Sequence, residues 1–175
     1  VRILAILGNS EGIDIQEDRK ILEQLPGTEI VFLVQPRRFE LDKYLWDKQG
    51  WDILFFAGHG TSGLECNTGK IYLNQTESLT ITQLRNALKT AISRGLQLAI
   101  FNCCDGLGLA KELLSLNIGQ TIVMREPVPD VVAQSFLKQF LEAFAAGESL
   151  YIAMRQARER LQGLESEYPC ASWIP

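Results

Sequence analysis

The chain carries a single histidine, His59, set between two glycines in Gly58-His59-Gly60; further on, Cys103 and Cys104 stand side by side in Asn102-Cys103-Cys104-Asp105-Gly106. A thiolate is a strong nucleophile, and an imidazole beside it can take or return the proton, or polarise a carbonyl under attack. The flanking glycines let the main chain come close to a ligand, and the Gly60 N–H could help hold a developing oxyanion. The cysteine pair precedes a predicted helix, whose N-terminal dipole favours a thiolate. A plainer reading uses the same residues: a lone histidine in a tight glycine turn can be structural, and buried cysteines can be inert core.

The elements that must position these groups are legible as alternating patterns. Apolar runs at Arg2 to Leu7, Glu29 to Val34, Asp52 to Ala57, Gln97 to Phe101 and Thr121 to Met124 predict five strands. Helical spacing is found at Gln16 to Leu25, around Glu40 to Asp47, and at Thr82 to Ser93 with Thr82 as an early cap. It returns at Leu107 to Leu116, at Val131 to Phe144 with Asp130 as N-cap, and at Ser149 to Leu161. The polar stretch Thr61 to Leu79 predicts a small hairpin or a single edge strand at Ile71-Tyr72-Leu73 and could form a loop over the site. The last residues are expected to begin a sixth strand. Strands alternating with helices imply an α/β fold, a three-layer α/β/α sandwich around a mostly parallel sheet. In such sheets reactive groups gather on the loops after the carboxyl ends of the strands. If the strands before His59 and Cys104 are neighbours, about 4.8 Å apart, both side chains emerge at one edge.

At 175 residues the chain suffices for one domain over 1–175. It starts at Val1 rather than Met and stops at Trp173-Ile174-Pro175, so it is expected to be a segment of a longer multidomain protein. A net charge of −4 argues against a nucleic-acid surface, for which Arg37-Arg38 is the nearest basic run. No apolar stretch reaches the roughly 20 residues of a membrane span. The cysteines at 66, 103, 104 and 170 include no CxxC pair, so neither a structural zinc site nor a disulfide framework is expected; reduced thiols in a cytoplasmic setting fit better.

The two motifs together resemble a known family. "DILFFAGHG", then "LAIFNCCDG" with Cys104 lying 45 residues beyond His59, resembles the CHAT family of caspase-like cysteine peptidases, related to caspases and separases. The family pattern has a hydrophobic strand ending in xGHG and a second ending in Ser-Ala-Cys-Glu-x-Gly. Residues "PVPDVVAQSFLKQFLEAFAAGESLYIAMRQARERL" are similar to its closing helices, and "YPCASWIP" to its last strand. The resemblance puts the nucleophile on Cys104 and the small-residue position on Cys103. Asn102 and Cys103 replace the usual Ser-Ala, and the turn to Gly106 is one residue shorter, so Cys103 stays open as an alternative nucleophile. By analogy with separases, an acidic residue after the fifth strand, Asp130, would meet a basic P1 side chain; Asp105 is a second acidic candidate. The plain alternative for Asp130 is a helix N-cap.

The resemblance implies a cysteine endopeptidase with His59 and Cys104 catalytic, and the N–H groups of Gly60 and Cys104 as oxyanion donors. It implies a protein or peptide substrate, no metal or organic cofactor, and regulation by sensor or tetratricopeptide modules of the same bacterial signalling protein. A second reading is a non-catalytic caspase-like interaction or signalling domain. A third, a phosphate or nucleotide site on the Gly8–Gly12 loop, lacks a GxGxxG or Walker pattern. The same loop, Gly8-Asn9-Ser10-Glu11-Gly12, fits GxSxG, but no helix onset follows at once, as a nucleophile elbow requires, and it reads as a strand-end turn.

Overall fold

A computed structural model describes residues 1–62, 68–104 and 106–175. Five parallel strands form the main sheet: β1 (Arg2–Leu7), β2 (Glu29–Val34), β3 (Ile53–Ala57), β7 (Leu98–Asn102) and β8 (Gln120–Val123), in the order β2-β1-β3-β7-β8. The apolar runs of the three central strands β1, β3 and β7 are buried on both faces, as a parallel sheet covered by helices requires, while the edge strands β2 and β8 are only partly buried. Leu4, Ile6, Leu54, Phe56, Ala99 and Phe101 point to one face, where they meet α2 (Arg38–Leu45), α3 (Arg85–Ser93) and α4 (Leu107–Leu114). The alternating residues Ile3, Ala5, Leu7, Ile53, Phe55 and Ile100 meet α1 (Gln16–Glu23), α5 (Asp130–Ala145) and α6 (Leu150–Arg160) on the other. The fold is therefore the three-layer α/β/α arrangement. No described helix is long and apolar enough to cross a membrane.

Three regions depart from the sequence expectations. Between β3 and α3 lies a separate antiparallel sheet of β4 (Gly60–Ser62), β5 (Gly69–Tyr72) and β6 (Ser78–Thr80), larger than one hairpin or edge strand. Thr80, not Thr82, caps the 3-10 turn Ile81–Leu84 that leads into α3; its hydroxyl accepts from Gln83 N–H while the Gln83 side chain receives the Thr80 N–H. The C-terminal residues form a 3-10 turn, Ala171–Trp173, instead of a sixth strand. Cys170 has a left-handed backbone (φ 67°), which turns the chain out of extended geometry. One strand-like bond remains, from Arg125 N–H to the Ile174 carbonyl.

Strand order reverses beside β1: the chain passes from β1 to β2 on one side and returns to β3 on the other. The crevice at such a switch point is where open parallel sheets bind ligands. The loops after β1, β3 and β7 all open onto it.

Candidate functional site

β3 and β7 pair directly, with Ala57 opposite Asn102. His59 and Cys104 each stand two residues beyond these paired strand ends, so both leave the same edge from neighbouring strands. The loops also touch. A Cβ placed on Gly60 would lie 2.6 Å from Cys103 Sγ and 3.5 Å from the Cys104 carbonyl oxygen, so only glycine admits this approach. The Ser62 hydroxyl accepts the Gly108 N–H (3.0 Å), satisfying one of the orphan donors at the start of α4. Gly69 N–H donates to the Glu112 carboxylate (2.8 Å), a second tie between the small sheet and α4.

His59 is fixed from three sides. Its N–H donates to the Asn9 carbonyl (2.9 Å), and its own carbonyl accepts from Tyr72 N–H (3.0 Å). Its ring Nε2 lies 2.8 Å from the Glu11 carbonyl oxygen. A carbonyl only accepts, so Nε2 carries the hydrogen and Nδ1 is left as the basic nitrogen of the neutral ring. Because Tyr72 donates to His59, antiparallel alternation turns the Gly60 N–H away from β5.

Cys103 is buried at 4% exposure in the core between the sheet and α2–α4, whereas Cys104 is half-buried. The described cysteines form no disulfide. Among the described residues no three His, Cys, Asp or Glu side chains converge as metal ligands would.

A narrow cleft of about 30 Å³, room for one or two waters, opens beside Cys104. It is lined by Gly58 and by Asn102, Cys103 and Cys104 from the loops after β3 and β7, by Ile13 to Ile15 and Asp18, and by Asp130, Ala133 and Gln134 of α5. Asp130 lines this cleft but does not cap α5: Pro129 holds the cap position, and the exposed Asp130 carboxylate accepts the Asp14 N–H (3.1 Å). Gln134 Nε2 donates to the Asp14 carbonyl (2.8 Å). The loop between β1 and α1 is thus strapped across the site, on His59 at Glu11 and on α5 at Asp14. This is the structural outcome of the GxSxG stretch: helix α1 begins only at Gln16, which an elbow would not allow. Asp105 lies outside the described residues.

Asp18 lines the same cleft and lies outside the residues that the motifs single out. It sits in the first turn of α1, 3% exposed, and its Oδ1 accepts from Asn102 Nδ2 at 2.6 Å. Burial pushes its pKa up from 3.8 to about 7, with the nearby carboxylates of Asp130 and Asp14 adding to the rise and the Asn102 hydrogen bond opposing it. A signal for it existed. Asp18, Ile21 and Leu22 recur at helical spacing, which puts the carboxyl on the buried face of α1.

A sequence model of the CHAT domain matches residues 13–174. No curated protein matches the chain in sequence. Among solved structures, the Drosophila initiator caspase Dronc is similar in fold, with a TM-score of 0.61 over 91% of this chain and 71% of that one, at 10% sequence identity.

Proposed function

The chain belongs to the CHAT domain family, and on that premise we propose that it is a cysteine endopeptidase in which Cys104 attacks a peptide carbonyl and His59 handles the proton. The observation that carries this reading is the Ala57–Asn102 pairing, from which both side chains leave one sheet edge on loops in contact. Sulfur forms the bond to the carbonyl carbon, and the thiol proton passes to His59 Nδ1. The Glu11 carbonyl, bonded to Nε2–H, keeps the ring in that tautomer and stabilises the imidazolium. The N–H groups of Gly60 and Cys104 stabilise the oxyanion. The imidazolium then protonates the departing amine, and water hydrolyses the thioester. The substrate is a polypeptide, and control comes from sensor or repeat modules joined to the domain.

Separate Cys104→Ala and His59→Ala variants test the reading against an unselective denatured protein and a peptide library. Loss of cleavage in both, with circular dichroism unchanged, is expected. Cleavage that survives Cys104→Ala contradicts it and favours a binding module.

A further inference from the structure

Among the described residues Asp18 is the only charged side chain that is buried, and it faces the cleft beside Cys104. Asn102 holds one carboxyl oxygen, while Oδ2 receives no hydrogen bond from another described residue. The described ion pairs of the chain run elsewhere, through Arg2, Arg19, Lys20 and Arg155. The charges that act on Asp18 are carboxylates, Asp14 from the loop before α1 and Asp130 from α5, and Cys104 lines the same cleft. An ionised carboxylate buried among like charges is expensive until a cation joins it. No described residue supplies one there.

We propose that Asp18 is the specificity-determining residue of this cleft and receives the cationic side chain, guanidinium or ammonium, of the substrate residue whose carbonyl Cys104 attacks. This rests on the reading of Cys104 as the nucleophile. Oδ2 accepts the new charge-assisted hydrogen bond while Asn102 keeps Oδ1 in place. Asp14 and Asp130 add negative potential at the mouth. The present volume admits water only, so the side chain enters as Asp14 leaves Asp130 and Gln134. A purely structural role, Asp18 clamping the end of β7 through Asn102, is separable: an asparagine at position 18 still accepts from Asn102 and loses only the charge.

The experiment compares peptidyl acyloxymethyl ketones that differ only in P1 (arginine, lysine, citrulline or norleucine) on the wild type and on Asp18→Asn at pH 8. Labelling of Cys104 is followed by mass spectrometry, with iodoacetamide as the reagent that needs no pocket. Arginine and lysine probes are expected to label the wild type about tenfold or more faster than the neutral ones. In Asp18→Asn the ratio falls to about one, with iodoacetamide unaffected. Equal rates for arginine and citrulline in the wild type, or an arginine preference kept by Asp18→Asn, overturns the proposal; the wild-type comparison decides alone if the variant does not fold. If no peptidyl probe reacts while iodoacetamide does, the nucleophile reading fails, and Asp18 is judged by agmatine binding in a thermal-shift assay. Stabilisation of the wild type but not of Asp18→Asn supports a cation site, and no stabilisation of the wild type refutes it.

Discussion

Gly60 and Cys103 are locked in mutual contact: a methyl group on Gly60 would come within 2.6 Å of the Cys103 sulfur and 3.1 Å of its Cβ. Through this pair the loop bearing His59 rests on the loop bearing Cys104. Gly60→Ala is expected to destabilise the fold by about 1–3 kcal/mol, the usual cost of overpacking, and to slow any reaction that needs both loops. Adding Cys103→Ala removes the sulfur and restores part of the loss. Urea denaturation of both single variants and the double checks this; a coupling under about 0.5 kcal/mol would show that the contact is not shared.

Cys103→Ala by itself also separates the two adjacent thiols. Its side chain fills core beneath Gly60, so the variant is expected to lose about 1 kcal/mol of stability yet keep cleavage and labelling at position 104. Loss of labelling at Cys104 with the fold intact would give Cys103 a chemical role.

Asp18 makes stability depend on pH in an unusual direction for a carboxylate. Its folded pKa, about 7, lies above the ordinary 3.8, so between those values the folded chain holds a proton that the unfolded chain has released. The stabilisation is complete below 3.8 and is lost as pH rises through about 7. Carrying the group that far corresponds to at most about 4 kcal/mol. Asp18→Asn, which has no charge to bury, is therefore expected to match the wild type near pH 4 and exceed it at pH 8. Denaturation curves at both pH values measure the difference, and a variant weaker than the wild type at pH 8 would contradict it.

Gly12 carries a left-handed backbone (φ 77°), and a Cβ there would meet nothing within 4 Å. Gly12→Ala therefore acts through backbone strain alone, about 1–2 kcal/mol. It is expected to move the neighbouring Glu11 carbonyl away from His59 and lower kcat more than it raises KM. An unchanged kcat would mean that the carbonyl does not orient the ring.

What could be read from the sequence follows from how local each signal is. β1, β3 and β7 are continuous apolar runs, so their burial was legible in the sequence; that β3 and β7 are neighbours, which gives His59 and Cys104 one edge, is set by strand order and is fixed only by the pairing of Ala57 with Asn102. Strands β4 and β6 have three residues each and little apolar alternation, so only their pairing across β5 defines them. Asp130 was legible as a helix start, but its acceptance of Asp14 N–H spans 116 residues and depends on where α5 lies against the β1–α1 loop. Asp18 was hidden for a related reason. An acidic residue in a first helical turn ordinarily complements the helix dipole in solvent, and its burial arises only where α1 lies against the end of β7 and the start of α5.

Cleavage as proposed requires His59 and Cys104 to work on one carbonyl. The most direct measurement of this is the rate at which a peptidyl acyloxymethyl ketone labels Cys104 in the wild type and in His59→Ala, normalised to iodoacetamide. Labelling is expected to be confined to Cys104, with a normalised rate lowered by about a hundredfold or more without His59. A rate indifferent to His59, or label on Cys103 or Cys170 in its place, would contradict it.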